Sequence, residues 1–299
     1  MSSTCISARF LGKLPFLLWH FTESDFATFV LPNTACGLFS ALVAPLLTTH
    51  NDHIPLESIV LYALPRVLLF NWANVFVFDL ANQRLPESQE EDRLNKPWRP
   101  LVAKGITADD TRQLMLLAIP TTLGISYSLG TGHECAWLLI LTWLYNDLKG
   151  GDGLARDGII AIGYFLYLSS SLKIAIGAPQ YGLSENGYFW MAIQAAIIFT
   201  TMQVQDLKDQ VGDQSRGRQT LPIVLGDTVS RWSITGFVLF WSIACASFWG
   251  LQTWVFSVPV VMGLWVAFHV LKKSNDALAW KYWCGWQVVI YSLPWMSRV

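Results

Sequence analysis

Three aspartates, Asp206, Asp209 and Asp213, close the sixth of nine long apolar stretches at a spacing of i, i+3, i+7. On a continuous helix at about 100° per residue they share one face, within about 60°. Three carboxylates so placed repel one another, and a divalent cation is the simplest partner that neutralises them. Lys208, Arg216 and Arg218 stand among them, in a run that ends Gly217-Arg218-Gln219-Thr220-Leu221-Pro222. The alternative, a solvated charged face, does not explain why the acids continue an apolar helix.

A second polar group ends the second apolar stretch. Asn71, Asn74, Asp79 and Asn82 fall within a sector of about 140° on a helix. Amides and a carboxylate at the end of a membrane helix cost energy unless they find partners or line a wet cavity. Hydrogen bonding between helices is the plain alternative. The loop that follows adds Glu90, Glu91 and Asp92, then Asn95-Lys96-Pro97-Trp98-Arg99-Pro100.

Both groups lie at the same end of their helices, so they can meet at one depth. Oxygen ligands without His, beside Lys and Arg, fit Mg²⁺ as cofactor. The expected ligands are Asp79, Asp206, Asp209 and Asp213. Mg²⁺ is usually completed by substrate phosphates, and Lys96, Arg99, Lys208, Arg216 and Arg218 are placed to hold phosphate oxygens. Asn74 and Asn82 complete the expected substrate contacts. A charged mouth on an apolar, aromatic bundle predicts a two-ended ligand, for which an isoprenyl diphosphate fits. Mg²⁺ and basic residues would stabilise the departing pyrophosphate, with Asp79, Asp209 and Asp213 as the expected catalytic acids. Aromatic faces in a dry cavity would stabilise the carbocation left behind.

Composition dictates where these groups sit. Of 299 residues, 53% are hydrophobic and only 14% charged, against about a quarter charged in water-soluble domains. The chain has 15 Trp, 9 Tyr and 17 Phe, which suits membrane interfaces and an aromatic-lined cavity. The prediction is an all-α integral membrane protein, a bundle of about nine transmembrane helices around one cavity opening at the cytosolic face. The stretches are roughly 27–49, 56–82, 110–130, 134–149, 157–178, 187–207, 229–250, 253–271 and 278–296. Residues 1–25 are expected to form an interfacial segment, and 1–299 a single domain.

The loops test this count. The connections 50–55, 131–133, 179–186 and 251–252 hold no Lys or Arg. The connections 83–109, 150–156, 208–228 and 272–277 hold Arg84, Arg93, Lys96, Arg99, Lys104, Arg156, Lys208, Arg216, Arg218, Lys272 and Lys273. Arg9 and Lys13 fall on that side by parity, and Arg298 is the exception. The positive-inside rule therefore puts the basic face, and the acids, in the cytosol, with the endoplasmic reticulum as the expected membrane. A net charge of −1 argues against a nucleic-acid partner, and nothing marks an obligate protein partner. Cys5, Cys36, Cys135, Cys245 and Cys284 are widely spaced and read as small helix residues. Arg66 is expected to bridge helices, Lys173 to snorkel and His269 to pack.

These motifs resemble the UbiA superfamily of intramembrane prenyltransferases over about residues 20–296. Asp209 and Asp213 match its second D-x-x-x-D motif with the trailing G-R-x-T-L-P. The first motif departs from N-D-x-x-D-x-x-x-D: with Asp79 as the middle acid, Phe76 and Gln83 stand at the other two. Arg99 and Pro100 match the R-P that follows. The resemblance implies metal binding through amides, Asp79 or the loop acids Glu90, Glu91 and Asp92. It also draws in Tyr145-Asn146-Asp147, where Asn146 and Asp147 either line the cavity or form an ordinary helix end. The altered pattern looks like a fungal branch that includes membrane-bound terpene cyclases. It implies cyclisation of farnesyl or geranylgeranyl diphosphate in terpenoid secondary metabolism. The alternative is prenyl transfer to an aromatic or indole acceptor. A transporter would place its polar groups near the midplane instead.

Overall fold

The computed structural model describes residues 8–177 and 181–298. Cys5 and the side chains of Arg9 and Lys13 lie outside the described residues. Each of the nine apolar stretches falls on a helix. The long segments are α1 (Ala8–Asp25), α2 (Leu31–Ala41), α3 (Leu64–Gln83), α5 (Ala108–Ser128), α6 (Gly132–Asn146), α7 (Arg156–Ile176), α8 (Glu185–Thr201), α10 (Asp227–Phe248), α11 (Thr253–Lys272) and α12 (Asp276–Met296). Two shorter helices, α4 (Pro86–Asn95) and α9 (Gln210–Arg216), lie in the long loops. Among the described residues the one extended pairing is an isolated bridge between Thr48 and Leu183.

α1 runs into α2 through a π turn, Phe26–Val30, and a second π turn, Ile59–Ala63, leads into α3. Both precede a proline, Pro32 and Pro65, at the second position of the next helix. A proline ring crowds the carbonyl four residues back and donates no N–H, so the turn before it widens. The segment expected at the interface, 1–25, is thus helical from Ala8 and packs along α3. Phe21 meets Phe76 with ring centroids 6.2 Å apart, and Trp72 Nε1 donates to Thr22 Oγ1 at 2.9 Å.

α2 and α7 pack at the middle of the bundle. Gly37 makes this possible, because a Cβ there would lie 2.7 Å from that of Ser171. Small residues let membrane helices approach closely in this way. Asn71 ties the seam by donating to Thr34 at 3.1 Å and Ser171 at 3.0 Å. Its amide therefore serves helix packing. The aromatic core continues in α12, where Trp283 and Trp286 are buried and donate to Thr201 and Ser242.

Among the described residues four helices are long and apolar enough to cross a membrane: Leu56–Gln83, Arg156–Ile176, Asp227–Phe248 and Trp254–Lys272. The bundle exterior is also apolar, with Leu61, Leu116, Trp137, Phe240 and Trp254 exposed. Such a surface suits lipid rather than water. Cys36, Cys135, Cys245 and Cys284 are buried and free. Arg66 corrects its expectation: it is exposed and, among the described residues, bridges no helices through an ion pair. Lys173 pairs with Glu134 in the first turn of α6. His269 packs between Trp265 and Tyr282.

Candidate active site

The basic loops gather at one end of the bundle and are stitched to one another. α9 lies on α4: Arg216 Nη1 reaches Glu91 at 3.1 Å, and Arg218 Nη1 reaches the other Glu91 oxygen at 2.9 Å. Asn95 Nδ2 donates to the Asp209 carbonyl at 3.4 Å. The loop after α6 joins through Lys149–Glu87 at 3.0 Å and through Gln219 N donating to the Asp152 carbonyl at 2.8 Å. Arg231 of α10 binds Asp276 of α12 at 2.7 Å, and Lys273 binds Asp227 at 2.6 Å. The opposite end holds the contacts of 46–49 with 182–184. The two acidic motifs therefore share one end.

The second motif does not continue α8 as a helix. α8 stops at Thr201, a 3₁₀ turn spans Met202–Val204, and α9 begins after Asp209. Thr200, Thr201 and Gln203 donate to the carbonyls of Ala196, Ile197 and Phe199, local bonds that compete with the helical ladder. The single acidic face expected for Asp206, Asp209 and Asp213 is thus broken. Asp206 is buried, and both its oxygens are held at 2.8 Å by Arg156. Asp209 pairs with the neighbouring Lys208. Asp213 Oδ1 accepts from Arg218 at 3.0 Å, while Oδ2 is buried without a partner. Burial pushes the Asp213 carboxyl up from the ordinary carboxylate range, against the pull of Arg218.

The first motif presents two further unpartnered oxygens, Asp79 Oδ2 and Asn74 Oδ1, both buried. Asn82 donates to Asn146 at 3.0 Å, and Arg84 pairs with Asp147. Asn82, Asn146 and Asp147 thus join α3 to α6. Of the neighbouring residues on α6, Thr142 and Tyr145 are among those that line the cavity described below. The loop acids are also taken: Glu90 by Arg93, Glu91 by Arg216 and Arg218, and Asp92 by Arg99 at 3.0 and 3.1 Å. Burial raises the Asp92 carboxyl in spite of Arg99. Lys96 is half-buried, and the charges acting on it include Arg99, Asp25, Lys208 and Asp209. Burial and the nearby Arg99 push its ammonium down. Lys96 thus sits between the two motifs.

Beneath this end lies a cavity of about 150 Å³. Asp25, Arg156 and Gln205 mark its charged end. Phe29, Phe78, Tyr164 and Tyr167 form walls together with Val75, Leu138, Leu141, Ile159 and Ile160. The Phe29 ring meets those of Tyr164 and Tyr167 edge-on, each at 4.8 Å between centroids. Among the described residues no three His, Cys, Asp or Glu side chains converge as a ready-made metal cage. The unpartnered carboxylate oxygens of Asp79 and Asp213 nevertheless fit a hard cation that phosphate oxygens complete. The sequence reading missed Asp25 and Arg156 as site residues. Asp25 directly precedes the first apolar stretch, and Arg156 sits in a basic loop, so parity alone places both at this end.

Residues 37–293 match the UbiA prenyltransferase family. The chain belongs to this family. It is 30% identical over 270 residues to a somaliensene A/B synthase of Streptomyces somaliensis, covering 86% of this chain and 84% of that protein. It is 29% identical over 231 residues to the polyprenyl transferase eriF of Hericium erinaceus, covering 75% and 73% respectively. A UbiA homolog from Archaeoglobus fulgidus, solved bound to GPP and Mg²⁺, superposes with a TM-score of 0.66 at 13% identity, covering 94% of this chain and 99% of that one. Family, all-helical fold and apolar exterior together make this UbiA-family chain an integral membrane protein.

Proposed function

We propose that this protein ionises an isoprenyl diphosphate, farnesyl or geranylgeranyl, in a Mg²⁺-dependent step and cyclises the product cation to a terpene. The observation that carries this reading is the single charged end shared by two acidic motifs above an aromatic-walled cavity. Lys96, Arg99 and Lys208 bind the diphosphate there, and Arg216 and Arg218 fix α9 through Glu91. Asp79, Asp209 and Asp213 hold the cation, and Asn74 offers its free amide oxygen. Asp206 anchors the turn through Arg156. Bound Mg²⁺ supplies positive charge where the leaving pyrophosphate accumulates negative charge. The rings of Phe29, Tyr164 and Tyr167 then face the carbocation, and the apolar walls exclude water.

The second reading, transfer to an aromatic or indole acceptor, is favoured by the similarity to eriF. Against it, the charged residues described along the cavity wall, Asp25 and Arg156, stand at the headgroup end, and the rest of the wall is mostly apolar and aromatic. In this reading the nine apolar stretches cross the membrane, and the site faces the cytosol from the endoplasmic reticulum. The test is to incubate membranes holding the protein with farnesyl or geranylgeranyl diphosphate and Mg²⁺, without acceptor. A cyclic hydrocarbon or terpene alcohol is expected. Substrate consumed only after an aromatic acceptor is added would establish the transferase instead.

A further inference from the structure

The α3 motif carries one acid, Asp79, where its family pattern carries three. A different element brings a second carboxylate to the same place. Asp25 is the last residue of α1, and the π turn that follows presents Phe29 to the cavity. The charges of Asp25 and Asp79 act on one another and both feel Arg99, whose Nη2 lies 3.7 Å from Asp25 Oδ2. The two acids differ in access. The Asp25 side chain is 35% exposed and lines the cavity, whereas Asp79 is 1% exposed and lies behind it. Asp79 Oδ2 has no donor within reach. Two carboxyls whose charges oppose one another, one with a buried unpartnered oxygen, are stabilised by a cation between them. Lys96 and Lys208 add their fields at Asp25, so an anion entering from the cavity is met at the same point.

We propose that Asp25 replaces the missing motif acids: it is the cavity-facing carboxylate that, with Asp79 behind it, holds a divalent cation against the diphosphate. This rests on the function proposed above and names a ligand from outside both aspartate motifs. It also gives α1 a part in the site, because the helix that carries Asp25 must be seated on α3 for the pair to form.

Mn²⁺ and inorganic pyrophosphate are the probes, used on the purified full chain in nanodiscs. Electron paramagnetic resonance counts free and bound Mn²⁺. Asp25→Asn is expected to weaken Mn²⁺ binding in the presence of pyrophosphate by roughly 10- to 100-fold. Asp25→Glu, which keeps the charge, should recover part of that loss. A second measurement needs no variant: carbodiimide is expected to label the partly exposed Asp25 in the native protein, and Mg²⁺ with pyrophosphate should protect it, as read by mass spectrometry. If Asp25→Asn binds Mn²⁺ like the native chain while Asp209→Ala does not, the proposal is overturned and the proposed function stands. Pyrophosphate binding weakened equally with and without metal overturns it too, leaving Asp25 as a support for Arg99. Labelling of Asp25 unchanged under saturating Mg²⁺ and pyrophosphate is a third contradiction. A native chain that binds no Mn²⁺ with pyrophosphate would instead defeat the functional reading itself.

Discussion

Asp206 does different work from the acids that follow it. Its two oxygens are held by Arg156 in a pair whose members are 1% and 4% exposed. Breaking a buried pair from one side strands a charge, at a cost of about 3–5 kcal/mol, whereas replacing both partners with apolar groups is often neutral. Arg156→Met alone is therefore expected to lower the melting temperature sharply, and Arg156→Met with Asp206→Leu to recover part of it, since Asp157, also held by Arg156 at 2.9 Å, still loses its partner. A double variant no more stable than the single one would contradict an anchoring role. The i, i+3, i+7 spacing was readable in the sequence; the break that separates these acids was not. That break depends on Thr200, Thr201 and Gln203 capturing backbone carbonyls, a competition that residue spacing does not report. Asp209 and Asp213 stand out in the sequence because the motif and its trailing Gly217-Arg218 are local. Asp25 does not, because its partner Asp79 lies 54 positions away and on another helix.

At the scale of elements, α4 and α9 form a clasp across the charged end. Gly212 allows it: a Cβ there would sit 2.2 Å from Asn95 Nδ2 and 2.6 Å from its Cγ. Gly212→Val pushes the Asn95 amide aside and breaks its bond to the Asp209 carbonyl, loosening the clasp at an overpacking cost of about 1 kcal/mol. The expected outcome is a raised KM for the diphosphate and faster protease cleavage in 96–106, with the bundle intact by circular dichroism. Unchanged KM and cleavage would show that the clasp is dispensable. The long helices were readable because each is apolar over a membrane's width. The α4 sequence, Pro-Glu-Ser-Gln-Glu-Glu-Asp-Arg-Leu-Asn, offers almost no apolar face and reads as loop. Its helix is held by salt links to α9 that only the folded chain supplies. The π turns had a signal in Pro32 and Pro65, which fix where the ladder must widen.

Across the whole molecule, the one-sided distribution of Lys and Arg and the observed stitching of the basic loops agree: the loops rich in these residues meet at one end. The orientation in the membrane follows from the same charges. Single cysteines at Leu94 and Val211, both exposed, should react with an impermeant maleimide in sealed microsomes. Cysteines at Asp52 and Glu185, exposed at the other end, should react only after permeabilisation. The reverse pattern would place the site in the lumen.

Release of inorganic pyrophosphate from geranylgeranyl or farnesyl diphosphate tests the central claim most directly. The native protein, with no acceptor present, should release it in proportion to time and only with Mg²⁺. Asp209→Ala and Asp213→Ala, folded in the same membranes, should release none above background. Release that persists after chelation of Mg²⁺, or at native rates in both variants, would contradict a diphosphate held by metal between the two motifs.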